Sequence, residues 1–184
     1  ALAANAAGLR SLSLDSASVK GEGALKLAWA AGSLRHLSLP FNPGFDSSAA
    51  AALAEALAES ACRLESLDLA ETKVKDVGVA AIGRALAANR QTRLKHLNVQ
   101  DTLVAASGVQ ALADALSAAH AALVTLELRS NQLRDFEVAP LVAAVGGGNS
   151  SLRELSLIWN DLGDATARAF AAALPEIASL TELG

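Results

Sequence analysis

Cysteine occurs once in the 184 residues, aromatic residues make up 3%, and methionine and tyrosine are missing. A single cysteine cannot close an internal disulfide, and it excludes a cysteine-based zinc site. It fits a reducing compartment, so a cytoplasmic location is expected. No run of 18 or more apolar residues is present, so nothing reads as a membrane span. No basic stretch leads into an apolar core at the start, so no signal peptide is expected. Positive charge is not in excess either: 15 Lys and Arg face 19 Asp and Glu, a net charge of -4. A dedicated nucleic-acid binder would concentrate cations to displace counterions, so that class is disfavoured. What the chain does have is apolar residues, 52% of the total, and a mean hydropathy of +0.34. That composition excludes a disordered chain. The length suits one domain, at roughly 150 residues each, and a chain of this size buries roughly 70% of its unfolded surface.

The sequence repeats. LRSLSL begins at Leu9, LRHLSL at Leu34, LESLDL at Leu64, LKHLNV at Leu94, LVTLEL at Leu123 and LRELSL at Leu152, with a fragment LTEL at Leu180. The spacings between these first leucines are 25, 30, 30, 29, 29 and 28 residues. In each LxxLxL unit the last two leucines alternate with period two, so they share one face of a short strand. Counting the first leucine as position 1, position 9 is Ala17, Asn42, Thr72, Thr102, Asn131 or Asn160. The chain must turn there inside a stack. Asn or Thr can bond backbone groups that would otherwise cost about 1–3 kcal/mol each, which predicts a ladder of Asn and Thr. Position 11 is apolar in Val19, Val74, Val104, Leu133 and Leu162; only Gly44 breaks the rule, and Phe45 is expected to take its buried role.

The second half of each repeat reads as helix. Ile82 and Leu86, Leu112 and Leu116, Leu141 and Val145, and Phe170 and Leu174 each lie four residues apart, on one helix face. Leu53 and Leu57 sit one residue later and Leu25 and Trp29 two earlier. Alanine fills most other positions and favours close helix packing. Each strand–turn–helix unit cannot bury its apolar faces alone, so the units must stack. Strands then line one side and helices the other, and the wider helix side makes the stack curve.

The motif LxxLxLxxN, as in LVTLELRSN and LRELSLIWN, followed by long helical stretches such as GVAAIGRAL, resembles the leucine-rich repeat family, specifically its ribonuclease-inhibitor-like class. The resemblance covers the whole chain and implies an α/β solenoid, a horseshoe or arc with parallel strands on the concave face and α-helices on the convex face. It departs locally at PFNPGF, in the short first repeat, and at GGGN over 146–149. One array of about six repeats over residues 1–184 is expected. The opening ALAANAAGLRSL parallels ALAANRQTRLKHL at 85–97, so residues 1–8 read as the tail of a preceding helix, and LTEL stops as a strand begins. Both ends therefore suggest part of a longer array.

Side chains between the leucines are expected to face the concave side. Position 3 gives Ser11, His36, Ser66, His96, Thr125 and Glu154; position 5 gives Ser13, Ser38, Asp68, Asn98, Glu127 and Ser156. Position 7 gives Asp15, Pro40, Ala70, Gln100, Arg129 and Ile158; position 8 gives Ser16, Phe41, Glu71, Asp101, Ser130 and Trp159. The candidate protein-binding residues are His36, Phe41, Asp68, Glu71, His96, Asn98, Gln100, Asp101, Glu127, Arg129, Glu154, Ile158 and Trp159. Aromatic and Arg side chains dominate binding hot spots, which draws attention to Phe41, Trp159 and Arg129. The alternative for Trp159 is packing on the next repeat's turn.

Chemistry has little to stand on. His36 and His96 share a column two repeats apart, near 10 Å for strands about 4.8 Å apart, too far to share one metal. Asp68 and Glu127 are separated by Asn98. GGGN lacks the following helix and Lys of a phosphate loop and reads as a helix end. NDLGD at 160–164 lacks the spacing of a calcium loop and parallels the other turns into helices. Cys62 reads as structural. No enzyme activity, cofactor or metal is expected, and neither nucleic acid nor membrane insertion. The expected partner is a protein with a basic or mixed surface. The resemblance also implies alternatives: an array like the GTPase-activating proteins for Ran, a scaffold segment of a large assembly, or a bacterial effector.

Overall fold

The computed structural model describes residues 8–184, without the side chain of Trp29. The expected helix tail at 1–8 therefore lies, but for Gly8, outside the described residues. Strands and helices alternate: β1 Ser11–Ser13, α1 Gly21–Ala30 with a 3-10 turn Ala31–Ser33, β2 His36–Ser38, α2 Ser47–Ala58, β3 Ser66–Asp68, α3 Lys75–Ala88, β4 His96–Asn98, α4 Ala106–Ser117, β5 Thr125–Glu127, α5 Asp135–Gly146, β6 Glu154–Ser156, α6 Asp164–Ala173 and β7 Glu182–Leu183. Among the described residues the sheet has seven strands in chain order, every neighbouring pair parallel.

One leucine sets the register throughout. Leu12, Leu37, Leu67, Leu97, Leu126, Leu155 and Leu183 pair in succession across the sheet. Those from Leu37 to Leu155 are buried, as are their partners two residues on, Leu39, Leu69, Val99, Leu128 and Leu157. Short central parallel strands with such leucines need cover, and the helices supply it. Val79, Ile82 and Leu86 of α3, Val109, Leu112 and Leu116 of α4, and Val138, Leu141 and Val145 of α5 all point into the same core. The result is an α/β arc with sheet on one side and helices on the other.

Two expectations about the helices are corrected. In α1 the innermost residues are Ala24 and Ala28, while Leu25 is half-buried; the short first repeat rotates its helix by one residue. Leu174, the C-cap of α6, keeps the helical bond of its N–H to Phe170 O at 2.8 Å, yet it is 59% exposed while Phe170 is buried. Phe45 is fully buried as expected, but Gly44 has its own reason. A Cβ there would stand 2.2 Å from Lys20 Cβ and 2.8 Å from the Val19 carbonyl oxygen. Gly78 and Gly108 are also required by contact: their Cβ atoms would meet Ala50 Cβ at 2.7 Å and Val104 Cγ2 at 2.4 Å.

The expected ladder forms, and its two residue types do different things. Asn131 Nδ2 donates to the carbonyls of Leu128 and Arg129 in its own turn and to Val99 in the preceding repeat, each at 3.0 Å. Its Oδ1 accepts from Thr102 N at 3.0 Å and Val104 N at 3.2 Å. Asn42 and Asn160 repeat this backward reach, to Leu14 at 2.7 Å and Leu128 at 3.0 Å. Threonine is shorter. Thr72 Oγ1 and Thr102 Oγ1 donate to the carbonyls of Leu69 and Val99 in their own turns at 2.6 and 2.8 Å, and Thr102 Oγ1 also lies 3.5 Å from Asn131 Oδ1, but neither reaches back to the preceding repeat.

Two further sets of bonds join the repeats at the helix ends. Asn89 Nδ2 donates to Leu57 O at 2.8 Å and Asn149 Nδ2 to Leu116 O at 2.7 Å, satisfying carbonyls at the ends of the preceding helices. GGGN is the helix end expected, with Gly148 at φ +98. At the other end, Asp76 Oδ1 accepts from Ala105 N at 2.9 Å and Gly108 N at 2.6 Å, at the start of α4 in the next repeat. Asp135 does the same for α6, accepting from Gly163 N at 2.8 Å and Thr166 Oγ1 at 2.6 Å. The Thr166 hydroxyl, then the Gly163 N–H, hold the Asp135 carboxyl below its ordinary range.

Asn131→Ala strands buried backbone groups in two repeats, so denaturant unfolding should show a loss of about 2–4 kcal/mol. Asp135 has a lowered folded pKa, so its contribution is present above the unfolded value and disappears as pH falls through the folded one. Melting curves taken from pH 6 down to about pH 2 should therefore fall less steeply for Asp135→Asn than for the parent chain.

Candidate functional site

The strands are three residues long or shorter, so only positions 3 to 5 are strand proper. Position 4 is the buried leucine; positions 3 and 5 emerge from the opposite sheet face. His36, His96 and Glu154 are exposed, and Asp68, Asn98 and Glu127 are half-buried. Parallel pairing aligns each column: His36, Ser66, His96, Thr125, Glu154 and Glu182 in one, Ser38, Asp68, Asn98, Glu127 and Ser156 in the other.

Positions 7 and 8 depart from the expected columns. They lie beyond the strands, and position 8 is left-handed in all six repeats: Ser16, Phe41, Glu71, Asp101, Ser130 and Trp159 have φ between 48 and 58. The physical reason is the chain reversal: after position 6 the backbone must bend toward its helix. Position 8 still donates its N–H to the next repeat's position 7, as Glu71 N does to Gln100 O at 2.9 Å and Asp101 N to Arg129 O at 3.0 Å. Phe41, Glu71, Gln100, Asp101, Arg129, Ile158 and Trp159 thus form a rim where the strands end, beside the sheet face. Trp159 is 76% exposed.

Some candidates are brought together. His96 Nδ1 lies 3.1 Å from Thr125 Oγ1, which donates to Glu154 Oε2 at 3.3 Å, a polar row across three strands. Arg129 Nε donates to Ser156 Oγ at 2.9 Å and lies 3.3 Å from Glu127 Oε2. Its guanidinium is therefore held against the sheet. Asp68 and Asn98 accept from the N–H two residues on, Ala70 and Gln100, each at 3.0 Å. Burial pushes the Asp68 carboxyl up, the Ala70 N–H opposes it, and Asp15 adds repulsion. His36 is not joined to His96, because Ser66 stands between them. Asn98 likewise separates Asp68 from Glu127. Cys62 is buried, and burial raises its thiol pKa. Among the described residues no three His, Cys, Asp or Glu side chains gather as a metal cage.

Charge is unevenly spread. Positions 3, 5, 7 and 8 hold seven carboxylates (Asp15, Asp68, Glu71, Asp101, Glu127, Glu154 and Glu182) and one cation, Arg129, a sum of -6. The whole chain carries only -4, so the rest is net positive by two. The edge where strands begin holds seven of the fifteen cations: Arg10, Arg35, Arg63, Arg90, Arg93, Lys95 and Arg153.

Besides Leu9, Leu174 and Leu183, three exposed apolar residues were not among the candidates: Val77, Leu103 and Phe136, at 68%, 51% and 67%. These three lie on the strand-end rim. The signal was phase: Val77 and Phe136 each precede the first buried helix side chain, Val79 or Val138, by two positions, which turns them away from the core.

Leu103 and Trp159 occupy left-handed backbone that Asn tolerates better. Leu103→Asn and Trp159→Asn should hold or raise stability, by about 0.5–1 kcal/mol each, in thermal and denaturant unfolding.

Two stretches, residues 61–83 and 148–171, match the family model described as Leucine Rich repeat, about a quarter of the chain. A search of curated proteins gives no match. Among solved structures, the chain is similar to an internalin (inlF) from Listeria monocytogenes, with TM-score 0.54 and 20% identity, over 98% of this chain and 48% of that one. It thus spans about half of that internalin's length. It is also similar to an internalin C2 (inlC2) from the same organism, with TM-score 0.53 and 21% identity, over 98% of this chain and 82% of that one. Identities this low speak for fold alone. The matched stretches overlap two of the repeats counted from Leu64 and Leu152, and the same coil runs on through the other repeats: the chain folds as a leucine-rich repeat solenoid.

Proposed function

We propose that the chain is a non-enzymatic protein-binding module that offers its inner sheet face, from His36 to Glu154, to a protein partner. The observation that carries this is the division of labour across each strand. The leucine at position 4 is buried, while its neighbours at positions 3 and 5 emerge on a face that no other element among the described residues covers. Those side chains vary freely, and the excess negative charge of the molecule sits on that face and its rim. Seven strands in one register hold it stiff, so binding needs little ordering of the backbone. The helices of 10 to 14 residues in the repeats support the ribonuclease-inhibitor-like class, and we take the whole chain as one array. A cytoplasmic setting agrees with the one unpaired, buried cysteine. No helix among the described residues is long and apolar enough to cross a membrane.

The test is affinity capture from the native source with charge reversals on two faces. Glu154→Lys with Glu182→Lys, register partners on the sheet face, should abolish capture of the specific partner, by at least about tenfold. Arg84→Glu with Asp114→Lys, on the outer helices, should leave it unchanged. The opposite pattern would overturn the reading and favour a scaffold contacted through its helices.

A further inference from the structure

Among the described residues, nine large apolar side chains are exposed, and their distribution is not uniform. Leu9, Leu174 and Leu183 lie at the two ends of the array. The other six (Phe41, Val77, Leu103, Phe136, Ile158 and Trp159) all lie on the strand-end rim. Five successive repeats each place at least one there. Apart from Leu174 at the C-terminal end of α6, the strand-start edge and the outer helix faces of those repeats expose none among the described residues.

The fold does not ask for these residues. Position 8 accepts Ser16, Glu71, Asp101 and Ser130 with the same left-handed backbone as Phe41 and Trp159. Gln132 occupies the left-handed position that Leu103 fills one repeat earlier. Large side chains are the more strained choice at such positions, and exposing them to water adds a second penalty. Their presence in one row is explained by something that covers them.

Charge says what that something carries. Glu71, Asp101 and Asp161 stand beside the row, and the sheet face next to it belongs to the surface that sums to -6. Lys73, Lys75 and Arg134 also lie on the rim, but the largest group of cations, seven of the fifteen, is across the sheet on the strand-start edge. An acidic partner would seat itself there; a basic one is drawn to the rim. Spacing fits a helix. Neighbouring strands lie about 4.8 Å apart and neighbouring helices about 8–10 Å, so anchors at their junction fall between these values. Side chains one or two turns apart on a partner helix match that range.

We propose that this rim seats a basic amphipathic helix of the protein partner, which lays its apolar side chains along the row from Phe41 to Trp159 and its Lys and Arg over the acidic sheet face. The proposal rests on the inner-face reading above and adds the partner's chemistry and a second surface.

A labelled helical peptide of leucine and lysine, about 18 residues or five turns long, is titrated against the full chain by fluorescence anisotropy. Peptides of leucine with glutamate and of serine with lysine serve as comparisons. The leucine–lysine peptide should bind at least about tenfold tighter than either. Combining Phe41→Asn, Leu103→Asn, Phe136→Ser and Trp159→Asn should weaken it by about tenfold or more with an unchanged circular-dichroism melt. Should that combination unfold the chain, Val77→Ser with Phe136→Ser, both on helix surfaces, gives the same reading with a smaller loss. Asp101→Asn with Glu154→Gln should weaken the peptide and flatten its salt dependence. Equal binding of the leucine–glutamate peptide, or folded rim variants that bind as the parent does, overturns the proposal. So does sedimentation showing a dimer that the rim substitutions dissociate, because a second copy would then be the occupant. Native partner capture separates the two readings. Loss with Glu154→Lys and Glu182→Lys but not with the rim variants sinks the rim alone; loss with neither sinks both.

Discussion

The backward reach of the position-9 asparagine is the bond on which the coil depends. A strand that ends inside a stack leaves carbonyls with no strand partner and no water. One carboxamide satisfies three of them and two N–H groups, in two repeats at once, as Asn131 does. No other side chain of that size offers both donors and an acceptor. Where threonine replaces it, at Thr72 and Thr102, the turn is satisfied but the link to the repeat before it is lost. The ladder therefore has strong and weak rungs, and the weak ones fall in the middle of the array.

The architecture was legible because one signal, LxxLxL at near-constant spacing, fixes strand, register and core together. Position 4 had to be buried, and the leucines from Leu37 to Leu155 are. The ladder was legible for the same reason: a polar residue recurring at a buried turn has little else to do. What escaped was anything set by contact between repeats. Asp76 and Asp135 look like ordinary helix-start acids, yet each caps the helix of the following repeat. Gly44 looks like a broken apolar rule, yet it makes room for Lys20. Such facts belong to pairs of distant residues, and a single repeat does not contain them.

The candidate surface was half legible. Alternation sets positions 3 and 5 opposite the buried leucine of position 4. It could not say where the regular strand stops, which is at position 5, nor that position 8 takes left-handed backbone. Arg129 stood out as a lone cation, but Glu127 and Ser156 hold it down. Meanwhile the apolar row continued through Val77, Leu103 and Phe136, at positions the concave columns did not include. Core and display are carried by different positions of one repeat, so the surface can change chemistry without disturbing the spine.

The caps supplied across repeat boundaries give the coil a direction. A carboxylate at the start of one helix waits for the N–H groups of the next, while each asparagine looks back to the turn already made. A chain leaving the ribosome presents these groups in that order. α4 and α6 find their starts provided for by Asp76 and Asp135 of the repeat before. Growth from the first strand toward the last is templated at those two steps, whereas α2 carries its own cap in Asp46 and would start equally well in either direction.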